Sequence, residues 1–249
     1  MQKINNDIYD TYGERWYHAY DDPVALLRAE TKIKTPWVIN KIKSHDLFNP
    51  TTKLLDVGCG AGFLSNELAK QGLQVTGVDL SEDSLKVATI YDETKSVRYQ
   101  VADAYHLPFE DQSFDVLTAM DFLEHVDRPK EVIKEFSRVL RPNGLFIFHT
   151  FNRNIIAYFV IIKLVEWLVK NTPKHMHVLN LFIKPSEMIS YCQEVDLKTF
   201  EMVGIKPVFS TIPLRNIFSG VVPLNLRFEL TKSLMLSYLG VSVKSCNDK

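Results

Sequence analysis

Leu54-Leu55-Asp56-Val57-Gly58-Cys59-Gly60-Ala61-Gly62 reads as a short buried strand running into a tight turn, with a helix from Phe63 to Lys70. Glycines suit such a turn because they accept positive φ and let a ligand approach the backbone. Leu73 to Val78 reads as a second strand, ending in Asp79, seventeen residues past Gly62. A carboxylate at that point can accept from both hydroxyls of a ribose. A nucleotide-like ligand is therefore expected; Asp79 weighs against a glycine turn that binds nothing. The dinucleotide fingerprint is G-x-G-x-x-G. Here the spacing is G-x-G-x-G, with Phe63 where the third glycine would fall, which disfavours a nicotinamide dehydrogenase. Asp56 sits just before the first glycine, where an acid suits a ligand bearing an ammonium group and disfavours a pyrophosphate.

Outward from this turn, strands and helices alternate. Strands are expected at Lys53–Val57, Gln74–Val78, Val97–Ala102, Phe114–Ala119 and Leu145–Thr150. Helices are expected at Phe63–Gln71, from Glu82 to about Tyr91 with Ser81 as cap, and from Pro129 to Leu140. This pattern predicts an α/β fold with a mostly parallel sheet covered on both faces and an antiparallel edge from Phe200–Ile205 and Val208–Phe209. Ligands of such sheets bind outside the carboxyl ends of the strands. The glycine turn, Asp79, Asp103 and Asp121 all fall there. Asp103 suits an adenine amino group, with the Ala104 N–H as a backbone donor.

The chain has 249 residues and a formal net charge of −1, so no global field points to nucleic acid. Three cysteines without C-x-x-C spacing fit a reducing compartment and argue against a disulfide framework or a zinc ribbon. No secretory signal and no spanning apolar run are visible, so a cytoplasmic location is expected.

Residues 1–50 read as a helical lid or cap ahead of a domain at 51–249. Tyr9, Tyr12, Trp16, Tyr17 and Tyr20 recur at near-helical spacing as one aromatic stripe, either packed on the domain or closing over a ligand. Val24–Ala29 and Pro36–Lys43 read as two separate helices. An apolar insert lies at about 154–182. In it, Ile155 to Val169 makes a helix whose charges, Lys163, Glu166 and Lys170, share one narrow face. With Lys174, His175, His177 and Lys184 following, residues 155–174 have the composition of a peripheral membrane contact. A helix buried against the domain or in a dimer is the alternative.

The D-x-G-x-G-x-G turn and the residues around Asp103, Leu107-Pro108-Phe109 and Phe114-Asp115 resemble the class I methyltransferases that use S-adenosylmethionine, over residues 53–150. That resemblance implies a Rossmann-like fold with a seven-stranded sheet. Met120-Asp121-Phe122-Leu123-Glu124-His125-Val126, Phe151-Asn152-Arg153-Asn154 and Phe182-Ile183-Lys184-Pro185 resemble, more narrowly, the ubiquinone-biosynthesis O-methyltransferases, over about residues 50–205. The resemblance implies O-methylation of a small lipophilic phenol or quinol, with peripheral contact at the inner membrane and no nucleic acid partner. It implies cofactor contacts at Gly58, Asp79 and Met120, to which the motif adds Asp56, Gly60, Gly62, Leu80, Asp103 and Ala104. It also implies a divalent cation such as Mg²⁺ on Asp121, Glu124 and His125, which would share one face of a helix at i, i+3 and i+4. His125, Glu124 and His177 are the candidate acid–base residues, with His149 and His175 as further histidines. Two departures stand out. Asp121 is one methylene shorter than the family's glutamate, and Val38 replaces a family arginine, for which Arg28 is a candidate substitute. The rival functions are methylation of another small acceptor, and a cofactor-binding regulatory module without turnover.

Overall fold

At the centre of the sheet, β1 (Lys53–Val57) pairs in parallel with β2 (Gln74–Asp79) on one side and β4 (Phe114–Met120) on the other. The computed structural model describes residues 4–246. With β3 (Arg98–Val101), β5 (Leu140–Phe151), β6 (Leu197–Pro207), β7 (Phe228–Thr231) and β8 (Ser237–Lys244), the strand order is β3-β2-β1-β4-β5-β8-β6-β7. The first five strands run parallel, and β8, β6 and β7 form the antiparallel edge. The fold class is the one expected, with eight strands among the described residues rather than seven. Sequence order reverses between β1 and β4, which opens a crevice at their carboxyl ends.

Successive side chains of a strand point to opposite faces, so β1 feeds two cores. Leu55 packs with Leu117, Phe136 and Phe146, on the side covered by α5 (Pro129–Val139) and α8 (Pro185–Gln193). Leu54 packs with Trp37, Val38, Ile42, Leu64 and Leu68, on the side covered by α2 (Val24–Ser44) and α3 (Phe63–Lys70). The predicted cap of α4 (Glu82–Ile90) forms, with Ser81 Oγ accepting from the Ser84 N–H at 3.1 Å.

Several expectations are corrected. α2 is one helix and runs straight through Pro36. Proline removes one backbone hydrogen bond, but Lys34, Thr35, Trp37, Val38 and Ile42 around it are buried, and that packing holds the helix together. The aromatic stripe is not one helix. A 3₁₀ turn (Asp7–Thr11) and the four-residue α1 (Arg15–His18) pack Tyr12 and Trp16 against Ala61, Val24 and Val87. Val208–Phe209 is not a strand, since Phe209–Thr211 is a 3₁₀ turn, and β6 pairs instead with β7 and β8. The insert is helical from Ile155 to Leu168 with a π-turn at Tyr158–Lys163. No helix among the described residues is long and apolar enough to cross a membrane.

Candidate active site

The glycine turn forms one wall of a cavity of about 740 Å³, within the ~300–1,000 Å³ typical of small-molecule sites. Gly58 has φ +66°, and a Cβ there would collide with the Phe122 ring. Gly62, at φ +78°, starts α3 outside the cavity lining; a Cβ there would strike the Tyr99 hydroxyl and Ala88. Packing by itself demands glycine here. Asp79 Oδ2 accepts from the Gly60 N–H at 2.8 Å and Oδ1 from the Ser81 N–H at 2.9 Å. Each carboxylate oxygen keeps a further lone pair. Leu80, Asp103, Ala104 and Met120 line the same cavity, and Asp103 Oδ1 accepts from the Tyr105 N–H at 2.9 Å.

Asp56 also borders this cavity but is buried, and its oxygens accept from Ser65 Oγ at 2.6 Å and Thr118 Oγ1 at 2.7 Å. Burial pushes its carboxyl up to about 6. It is thus a floor residue, with both oxygens already bonded to hydroxyls, rather than an open carboxylate.

Asp121, Glu124 and His125 do not form the expected helical face. Asp121 has φ +54°, and only a single 3₁₀ turn, Leu123–His125, follows. The i, i+3, i+4 argument needs helical dihedrals that this backbone lacks, and the three donors do not converge as a cation site. Glu124 is fully buried behind the cavities, with Oε2 accepting from Thr150 Oγ1 at 2.7 Å and Oε1 unpartnered. Burial, and then the nearby charge of Asp121, push its carboxyl up to about 8, so it is protonated at neutral pH. Asp121 accepts from Lys34 Nζ at 2.7 Å on both oxygens and from His149 Nδ1 at 2.6 Å. Burial alone would raise the Asp121 carboxyl, but Lys34 and His149 hold it well below the usual carboxylate range. Lys34 also pairs with Glu30. The carboxylates and histidine whose donors do converge, within 4.8 Å, are Glu30, Asp121 and His149. That position is taken by the Lys34 ammonium, so the residues present do not fit a divalent cation.

His125 stands at the wall of the cavity with its Nδ1 3.1 Å from Asn6 Oδ1 and its Nε2 3.4 Å from the Tyr9 hydroxyl. Asn6 Nδ2 donates to the His125 carbonyl at 3.1 Å, which turns the Asn6 oxygen toward the ring. We assign the ring proton to Nδ1 on this network, so that Nε2 is the acceptor and the Tyr9 hydroxyl its donor. His177 lies beside it, with ring centroids 5.4 Å apart. Burial pushes both imidazoles well below their usual range, so both are neutral at pH 7.

A second, mainly apolar cavity of about 170 Å³ adjoins the first. The insert contributes Ile161, Leu164, Val165 and Leu168, and the segment before β7 contributes Ile212 and Leu226. Tyr9, Leu27, Asp121 and His125 line both cavities, so the two meet there.

Arg28 is not a substrate arginine. Its guanidinium donates to the carbonyls of Arg15, Trp16 and Ala19 and holds the N-terminal segment on α2. The F-N-R-N residues are likewise structural. Asn152 and Asn154 donate to the carbonyls of Leu234 and Met235 at 2.8 and 2.7 Å, and Arg153 pairs with Glu187. Sequence reasoning missed Glu30 and Lys34. Their i, i+4 spacing of opposite charges was the available signal, but such a pair ordinarily marks a solvated helix face.

Residues 55–148 match a family model described as a methyltransferase domain. The chain is 33% identical over 204 residues to the ubiquinone biosynthesis O-methyltransferase of Proteus mirabilis, covering 80% of each chain. It is 36% identical over 214 residues to the protein of that name from Coxiella burnetii, covering 84% of this chain and 86% of the relative. A solved S-adenosylmethionine-dependent methyltransferase from Methanosarcina mazei superposes with a TM-score of 0.56 at 20% identity, covering 82% of this chain and 97% of that one, a likeness of fold. The glycine turn, the sheet order and these relatives together make the chain an S-adenosylmethionine-dependent methyltransferase, and it belongs to the family of the ubiquinone biosynthesis O-methyltransferases.

Proposed function

We propose that the chain transfers the methyl group of S-adenosylmethionine to a hydroxyl of a lipophilic phenol or quinol, in ubiquinone biosynthesis as its relatives are named. The observation that carries this reading is the junction of a polar cavity at the glycine turn with an apolar one at Tyr9, Leu27, Asp121 and His125. The free lone pairs of Asp79 take the ribose hydroxyls, Asp103 and the Ala104 N–H take adenine, and the glycine turn takes the methionine end. The ammonium at the methionine end of the cofactor would lie near Asp56 and restore the charge that burial disfavours.

The apolar cavity is about as large as the ~150 Å³ cavities that hold benzene. It seats one aromatic ring, so a longer prenyl tail runs on past its mouth. The sulfonium is already activated, so the acceptor oxygen must be held in line and lose its proton. A phenol with a pKa of about 10 is almost wholly protonated at pH 7. Once the Tyr9 hydroxyl turns away, His125 Nε2 accepts that proton; because burial leaves the imidazole weakly basic, the transfer proceeds together with formation of the oxygen–carbon bond and cleavage of the carbon–sulfur bond, which releases a neutral thioether. The N-terminal segment acts as the lid, with Tyr9 at the junction and Trp16 over the glycine turn.

We further place residues 155–174 at a membrane surface. Ile155, Phe159 and Trp167 are exposed on this segment, and Phe218 and Leu224 are exposed farther along the chain. Lys163 pairs with Glu166 at 2.6 Å, so Lys170 and Lys174 remain for headgroups.

Methyl-labelled cofactor incubated with a prenylated catechol tests the reading directly. The label is expected in an aryl methyl ether, with a lower KM for the prenylated catechol than for a tail-less one. Label found only in a polar, non-phenolic fraction of a cell extract would overturn it.

A further inference from the structure

The donors of Glu30, Asp121 and His149 come within 4.8 Å of one another. Two carboxylates and an imidazole are a good ligand set for a divalent ion such as Mn²⁺. Three details show what fills this position instead. Lys34 reaches into it from α2, one turn after Glu30, with its side chain only 5% exposed. Its ammonium donates to both oxygens of Asp121 at 2.7 Å and forms an ion pair with Glu30, so two carboxylates surround it. The position also borders both cavities, since Lys34 lines the cofactor cavity, Glu30 the apolar one and Asp121 both.

We propose that Lys34 is a built-in cation of this methyltransferase, occupying the Glu30–Asp121–His149 site in place of a divalent metal. This rests on the phenol-methylating function proposed above. Lys34 is a positioning residue. Its ammonium is held between Glu30 and Asp121, so it acts on the acceptor by fixing Asp121 at the junction and by placing a positive charge beside the forming phenolate. An ammonium is a compact point charge on a flexible stem and fits a site that two carboxylates already surround. It differs from a metal in one measurable way: it cannot be removed by a chelator.

Manganese electron paramagnetic resonance, with the full-length protein and no acceptor present, tests this. The wild type is expected to leave added Mn²⁺ free and, in the separate labelled-catechol assay, to keep its turnover within about twofold after exhaustive chelation. Lys34→Ala is expected to take up one Mn²⁺ per chain, and Asp121→Asn in that background to abolish the uptake. Lys34→Met, of similar length, is the second variant should Lys34→Ala unfold, and the wild-type measurement stands without either. Stoichiometric Mn²⁺ binding by the wild type, lost in Asp121→Asn, would overturn the proposal, as would no gain of Mn²⁺ in a folded Lys34 variant. Cofactor calorimetry and the labelled-catechol assay on the same samples report the proposed function separately. An enzyme that ignores catechols yet still shows this manganese pattern would fail the function and keep the site.

Discussion

Asp79→Asn separates two jobs of one carboxylate. In the structure each Asp79 oxygen holds a backbone N–H, Gly60 at 2.8 Å and Ser81 at 2.9 Å, and has a lone pair left for a ribose hydroxyl. Asparagine keeps one oxygen and turns the other into an NH₂ that faces a donor. One hydrogen bond to a charged acceptor is lost, about 1.5–3 kcal/mol. That corresponds to a dissociation constant for S-adenosylmethionine weakened by about 10- to 150-fold. Asp79→Ala removes both ribose bonds and also strands both N–H groups, at about 1–3 kcal/mol for each donor left buried. The alanine variant should therefore lose more thermal stability without cofactor than the asparagine variant. Calorimetry of cofactor binding, paired with thermal midpoints of the unliganded variants, measures the two effects apart. A folded Asp79→Asn that binds within about twofold of wild type would refute the assignment of Asp79 to the ribose.

Asp56 gives a pH signature. Its folded pKa of about 6 lies above the ordinary 3.8, so between these values the folded state holds a proton that the unfolded state has released, and stability falls as pH rises through this window. The shift of about two units corresponds to about 3 kcal/mol, and Asp56→Asn should flatten the denaturant-midpoint profile between about pH 4 and 6; an unchanged profile would count against it. Glu124 is raised in the same sense, to about 8, so Glu124→Gln should keep turnover at pH 7 and gain stability over wild type as pH rises above the ordinary carboxylate range; a variant inactive but folded would restore Glu124 to the chemistry. In the insert, Leu164 lines the apolar cavity whereas Phe159 is exposed. Leu164→Asp should cut turnover of a prenylated catechol far more than of a short one, and equal losses would mark the segment as plain core. Phe159→Asp should weaken flotation with anionic vesicles. Charge reversal at Lys170 and Lys174 should do so too, each lysine contributing about 1 kcal/mol in a salt-dependent way; binding indifferent to both would exclude the membrane contact.

The parts of the fold that sequence disclosed are those written in short stretches. The apolar run Lys53–Val57, the glycines after it and the Ser81 cap each specify their geometry within a few residues, and all formed as read. Pro36 was misread because its local cost is real; what overrides it is the burial of Trp37, Val38 and Ile42 against the sheet, which no window around the proline contains. The candidate site divides in the same way. Asp79 follows from its spacing after the glycine turn. The proposed metal triad assumed a helix at Asp121, and a left-handed residue there dispersed it. Departures from the family pattern were legible, but their meaning was not. Val38 lies one turn beyond Lys34 on α2, fully buried among Leu54, Val116 and Ile147, where an arginine would bring an unpaired charge into the core. One turn earlier the same helical stripe has left the core and faces Asp121 across the crevice, where a charge is paired on arrival. The cation of this helix therefore belongs at position 34. Glu30, one turn earlier again, is the second acid beside this position, and its negative charge adds to that of Asp121 in offsetting the cost of burying the ammonium.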